Sequence, residues 1–275
     1  MVGEPDRTLD ARALAEAALI GITEKFGSTD IPLVVLGGLV PALLCAASGI
    51  QHQGTADVDI QINLEVELNG EHAAELERAL VAAGFEPHPE YAWRWLDRER
   101  GTIVKVEFLC DLDNQPGESL VTFSGAKRLG AVNLRGTGYA ARDWVLRDLA
   151  ASIDGRPASA QVRFAGLAGY LIAKAHALRN RRLSKDMYDF AYVLIHNDAG
   201  GPEQAADRVI ARFGNDLPSL RSTFREVSAS FGSPADAGPT AYARAAFEID
   251  PGAPPQQLAA DAYAAVAVFV RRLYP

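Results

Sequence analysis

The sequence of 275 residues is short of several things, and each shortage removes a class of protein. Cys45 and Cys110 are far apart and in apolar surroundings. That offers neither a disulfide framework nor a zinc-ligand spacing, so buried thiols in a reducing compartment are expected. No apolar run approaches the roughly 18 residues of a membrane span, and the opening MVGEPDRTLDAR has no apolar leader segment. A cytoplasmic protein with no membrane partner is expected. Positive charge is scarce: Lys and Arg number 27 against 35 Asp and Glu, for a net charge of −8. Any polyanion must therefore meet a local basic patch. There is no GxxxxGK[ST], no GxGxxG and no internal repeat. His52, His72, His88, His176 and His196 form no ligand spacing, and no Ser-His-Asp set emerges.

With 48% hydrophobic and 23% charged residues the chain can bury a sizeable core. Its length suits one α/β core with a helical appendage, or two modest domains. Apolar spacing predicts a helix over 8–26, with Leu9, Leu14, Ala18, Leu19 and Ile22 on one face. A short buried strand, 33–36, runs into Gly37-Gly38 and an apolar helix over 39–47, with Pro41 in its first turn. Residues 57–64 alternate as a strand, 71–83 form an amphipathic helix stopped by Gly84, and 91–96 and 102–110 read as antiparallel strands. On that strand Trp93 and Trp95 alternate with Tyr91, as core or as a substrate wall. The Gly- and Asn-rich stretch 111–139 has no clear pattern. A hairpin across Asp154-Gly155 is expected, then helices from Leu167, broken by the Gly-, Pro- and Ala-rich 232–255 as a linker or lid. The expected division is 1–160 and 161–275.

The strand 57–64 sets Asp57, Asp59, Gln61 and Asn63 on one face, and Val58, Ile60, Ile62 and Leu64 on the other. Two carboxylates at i and i+2 repel, and Mg²⁺, which takes hard oxygen ligands, would offset that repulsion. Glu107 interrupts a second apolar strand, Val106-Glu107-Phe108, and would complete a three-acid site suited to phosphoryl displacement. Gly37-Gly38 would let the backbone approach a triphosphate. Plainer readings compete: a simple Gly-Gly turn, the solvent face of an edge strand for Asp57 and Asp59, and an ordinary exposed residue for Glu107.

The ordered set Leu36-Gly37-Gly38, Asp57-Val58-Asp59-Ile60 and Val106-Glu107-Phe108 resembles the signature of the DNA-polymerase-β-type nucleotidyltransferase superfamily. The resemblance implies an α/β mixed sheet with helices plus a mainly helical C-terminal domain that completes the nucleotide and acceptor site. It also implies transfer of a nucleoside monophosphate from an NTP to an acceptor hydroxyl.

Residues 173–192, AKAHALRNRRLSKDMYDFAY, concentrate Lys174, Arg179, Arg181, Arg182 and Lys185 in an otherwise acidic chain. A helix break is expected at Ser184, which would cap a new helix carrying Asp186 in its first turn. A solvated basic helix end explains this; so does a lysine reaching nucleotide phosphates with Asp186 orienting it. With Thr55-Ala56-Asp57-Val58-Asp59, the block Lys174…Ala177-Leu178…Arg181…Lys185-Asp186-Met187-Tyr188-Asp189-Phe190 is similar to the AbiEii-type nucleotidyltransferase toxins over about residues 33–196. That resemblance implies Asp57 and Asp59 as metal ligands, with Glu107 as the third carried more by the wider superfamily resemblance. It implies Gly37, Gly38, Thr55, Lys174 and Lys185 as nucleotide contacts, with Lys174 and Asp186 completing the catalytic set. It also implies a tRNA, other nucleic-acid or protein acceptor and a cognate antitoxin. Gln53 and Lys185 stand where that family often has a basic residue and an Arg, which touches acceptor contacts rather than the metal site. Two rivals remain: modification of a small hydroxylated molecule such as an antibiotic, and a non-catalytic nucleotide- or partner-binding protein of the same fold.

Overall fold

The computed structural model describes residues 9–26, 33–52, 57–62, 70–97, 104–153 and 155–275. The chain divides into two compact units, Met1–Leu39 with Gly54–Ala165, and Val40–Gln53 with Gly166–Pro275. In chain order the elements to the end of the first stretch of sheet are α1 (Leu9–Phe26), β1 (Leu33–Leu36), α2 (Val40–Leu44), β2 (Asp57–Ile62) and α3 (Gly70–Ala82). Then come β3 (Phe85–Pro87), β4 (Arg94–Asp97), β5 (Val104–Cys110), β6 (Leu120–Thr122), β7 (Gly130–Asn133), α4 (Gly138–Arg142), β8 (Trp144–Ile153) and β9 (Arg156–Ala165). Six helices follow: α5 (Leu167–Arg181), α6 (Ser184–His196), α7 (Pro202–Phe213), α8 (Leu217–Ser230), α9 (Ala237–Ile249) and α10 (Pro255–Leu273). The protein is thus a mixed α/β sheet with helices, followed by a helical C-terminal region.

In the sheet unit the strands run β3-β4-β5-β2-β1-β9-β8, with β7 on β5 and β6 on β7. β2 is antiparallel to β1 and parallel to β5, so it is an interior strand. That removes the edge-strand explanation of its two aspartates. Val34, Val35, Val106, Phe108 and Trp95 are buried along these strands, under a core that also takes Ile20, Leu76 and Leu80 from α1 and α3. Each such side chain contributes roughly 1.5–3 kcal/mol of burial, which fixes the register. The β8–β9 hairpin closes with Ile153 opposite Arg156, a two-residue link in which Gly155 takes φ 75°.

Several sequence expectations need correction. The strand placed at 91–96 begins only at Arg94, because the Arg94 amide turns back onto the Tyr91 carbonyl at 2.9 Å. Tyr91, Trp93 and Trp95 therefore do not alternate on one strand: Trp95 is buried, whereas Tyr91 is exposed. The patternless 111–139 contains β6, β7 and α4, organised by buried Asn133. Its amide nitrogen donates to the carbonyls of Leu112, Gln115 and Pro116, and its oxygen accepts from the Leu112 amide. One side chain thus replaces a ladder, which periodicity does not reveal.

In the helical unit α6 is buried through Asp186–Leu194, with α9 and α10 packed against it. The 232–255 stretch is mostly not a linker or lid, because α9 occupies 237–249 and has Tyr242 and Ala246 in the core. Its Gly238 is a packing device, since an added Cβ would lie 2.5 Å from the Phe231 ring. The predicted helix over 39–47 is only Val40–Leu44. Its continuation fails because the Ala46 and Ala47 amides donate to the Asp198 carboxylate at 3.2 and 2.9 Å. The expected break between α5 and α6 is present, with Arg182 at φ 46° as the α5 cap. Ser184 is not the cap, however: Leu183 holds that position and no side chain bonds the helix end. Among the described residues no helix is long and apolar enough to cross a membrane.

Candidate active site

β1 ends at Leu36, and the chain turns at once through Gly37, whose φ of 89° lies in the region that side chains avoid. Gly37→Ala is expected to cost about 1–2 kcal/mol, read as a shift of the urea midpoint at unchanged slope. Gly38 follows in the same turn.

The ladder puts Asp59 opposite Leu36 on β1 and opposite Glu107 on β5, with Asp57 opposite Lys105. Directly paired positions of neighbouring strands lie on one face. Positions 57, 59 and 107 are therefore brought to one face of the interior of the sheet, next to the Gly37 turn. Thr55 and Gln53 fall outside the described residues.

Glu107 already has a strong partner. Arg94, its register neighbour on β4, sends Nε to Glu107 Oε1 at 2.7 Å and Nη2 to the same oxygen at 2.6 Å. Part of its donor capacity is thus spent on a guanidinium. Among the described side chains no group of three His, Cys, Asp or Glu gathers as a metal cluster. Asp57 and Asp59 stand at or next to the register position of Glu107, and carboxylates are the residue type that would fit a hard divalent cation.

In the helical unit, α5 and α6 bring together the residues of the basic block. Lys174 is 7% exposed, and Asp186 and Asp189 are fully buried. The ammonium of Lys174 donates to Asp186 Oδ1 and to Asp189 Oδ2, each at 2.9 Å. Arg181 donates to both oxygens of Asp186, from Nε at 2.7 Å and from Nη2 at 2.9 Å. Nε2 of His52 lies 3.0 Å from Asp189 Oδ1. An ionised carboxylate can only accept, so the imidazole carries its proton on Nε2.

Burial by itself would push the Lys174 ammonium down, but the charges of Asp186 and Asp189 outweigh it and hold the group above its ordinary range. For Asp186 burial would raise the carboxyl, and Lys174 with Arg181 holds it below the usual carboxylate range. Lys174 is a fully paired buried cation in this network. Lys185 sits half-buried in the first turn of α6.

No family model matches the chain, and no curated protein does. Among solved structures it is similar to the solution structure of the antibiotic-resistance factor ANT(2'')-Ia, with 14% identity and a TM-score of 0.38. The similarity covers 77% of this chain and 97% of that one. Both identity and score are low.

Arg94, Asp189 and His52 belong with these residues and were not singled out by the sequence. Asp189 had a usable signal, because it lies three residues after Asp186 and so shares a helix face with it. Arg94 needed the β4–β5 register, and His52 meets Asp189 across 137 residues.

Proposed function

We propose that the protein is a Mg²⁺-dependent nucleotidyltransferase that moves a nucleoside monophosphate from an NTP to an acceptor hydroxyl. The observation that carries this reading is the position of the Asp57-x-Asp59 pair. It lies on an interior strand, in register with Glu107 on one side and one residue from the Gly37 turn on the other. Two aspartates at i and i+2 of one strand would repel each other, and a bound cation would offset that repulsion.

Asp57 and Asp59 would hold Mg²⁺, which when bound supplies neutralisation of the triphosphate. The backbone at Gly37 and Gly38 would approach the phosphates without a Cβ in the way. Glu107, oriented by Arg94, would stand beside the acids and accept the proton of the attacking hydroxyl. Thr55 and Lys185 would serve as further nucleotide contacts. Lys174 and Asp186 would act as one rigid unit with Asp189, rather than as a mobile lysine.

The acceptor reading follows the AbiEii-type resemblance: RNA, tRNA in particular, or a protein, with an antitoxin as partner. The distribution of charge supports it. The sheet unit carries the whole negative excess, and the helical unit, with Arg179, Arg181, Arg182, Arg221 and Arg225 exposed, is close to neutral. A small hydroxylated acceptor, such as an antibiotic, is the second reading and is favoured by the net charge of −8. The test incubates the protein with Mg²⁺ and each α-labelled NTP, against total tRNA and a panel of small hydroxylated compounds. Label in RNA is the expected result, and label in a small molecule selects the second reading. NTP binding without Mg²⁺ dependence and without transfer overturns both, in favour of a binding protein.

A further inference from the structure

The buried network of the helical unit includes one side chain with no task so far. His52 is 7% exposed and lies between two tyrosine rings of α6. Tyr188 stacks on it at 5.1 Å between centroids, and Tyr192 meets it edge-on at 4.8 Å. Tyr192 is itself fixed, because its hydroxyl donates to the Ile50 carbonyl at 2.7 Å.

We propose that His52 is a positioning residue for Lys174 and acts through Asp189. The torsion that turns an aspartate carboxylate is broad, so one contact leaves its second oxygen free to swing. Two contacts on different oxygens fix it. Each acid on Lys174 is held in this way: Asp186 by Arg181, and Asp189 by His52. The network thus runs Arg181, Asp186, Lys174, Asp189, His52, with a donor at each end and the ammonium at the centre.

A purely tethering role for His52 accounts for less. The segment that carries it is already attached to the C-terminal end of α6 by other bonds. The Asp198 carboxylate accepts from Ala46 and Ala47, the Asp198 amide donates to the Leu44 carbonyl at 2.9 Å, and Tyr192 holds Ile50. Nor does packing demand an imidazole, since any flat ring fills the space between Tyr188 and Tyr192. What the imidazole adds to a plain ring there is its hydrogen bond to Asp189.

The kinetic consequence of this role rests on the transferase reading, whereas the structural consequence does not. Two variants separate ring from donor: His52→Phe keeps the stacking and removes the N–H, and His52→Gln restores a donor without the ring. Nitrogen-15 lysine side-chain NMR reads the Lys174 ammonium directly, because an ammonium this buried exchanges slowly with water. In His52→Phe that signal is expected to broaden or shift, and in His52→Gln to stay near its wild-type position. Transfer in His52→Phe should fall about tenfold in kcat, with KM for the NTP changed less than about twofold, and His52→Gln should recover most of it. If the Phe variant does not fold, His52→Ala with and without added imidazole makes the same comparison, and the imidazole must restore the Lys174 signal. An unchanged Lys174 signal in a folded variant lacking the donor overturns the proposal. Absence of transfer in the wild-type protein overturns the transferase reading alone, and the NMR comparison still decides the role of His52.

Discussion

Asp59→Asn is expected to lower NTP turnover by about three orders of magnitude, on the arithmetic that about 4 kcal/mol of lost charge stabilisation is a factor near a thousand. The substitution keeps the size of the side chain and its place between Leu36 and Glu107. The fold should therefore survive, and removing one like charge from the pair should leave stability equal or slightly higher. The diagnostic result is activity lost while stability is kept, measured as product from labelled NTP beside a urea titration of the same sample. A core defect would move both together. Turnover within about tenfold of wild type at saturating Mg²⁺ would remove Asp59 from the mechanism, and with it the main support for a transferase.

Lys174→Met should behave in the opposite way, with stability falling first. Removing one partner of a buried ion pair costs about 3–5 kcal/mol, because the other charge is left uncompensated. Here Asp186 keeps Arg181, and Asp189 keeps the hydrogen bond to His52 but loses its ammonium. The pH dependence follows from the directions of the two shifts. Asp186 is held below its ordinary value of 3.8, so its stabilisation is present above that value and is lost as pH falls through its folded pKa. Lys174 is held above its ordinary 10.5, so its stabilisation is full below that value and is lost as pH rises through its folded pKa. Wild type should thus show a flat network contribution across neutral pH. The gap between variant and wild type should therefore persist across neutral pH and narrow only on acidification through the range in which Asp186 takes up its proton. Urea midpoints across that range test it, and a gap below about 1 kcal/mol at pH 7 would mean that the network is not a stabilising unit.

How much of this was legible in the sequence depends on the range of the interaction. Periodicity of two and of 3.6 located α1, β2 and α3, because those patterns report burial of one face and need no distant partner, while an apolar run marked β1 and the Asp154-Gly155 turn pair marked the β8–β9 hairpin. The Asp57, Asp59 and Glu107 set was visible because each acid breaks an apolar strand. What the sequence could not carry was register: only the ladder tells that Asp59 meets Glu107 and that Arg94 does too. The α9 helix was hidden because Gly238 and Pro239 read as breakers, although Pro is tolerated in a first turn and Gly makes room for Phe231. For Lys174 the sequence offered a solvated basic helix end or a phosphate contact oriented by Asp186, and only the packing of α5 on α6 shows two aspartates enclosing it.

The segment Val40–Gln53 also bears on how the chain is made. It leaves the ribosome long before its partners: His52 meets Asp189 across 137 residues, Ile50 meets Tyr192 across 142, and Ala46 meets Asp198 across 152. At about 5–20 residues per second the delay is of the order of ten seconds. For most of that interval the sheet residues that follow the segment, up to Ala165, are still being synthesised, and its own polar groups have no α6 to bind. The helical unit can therefore complete only after translation has passed residue 198, and a fragment started at Gly166 would be born without the piece that closes its most buried charges.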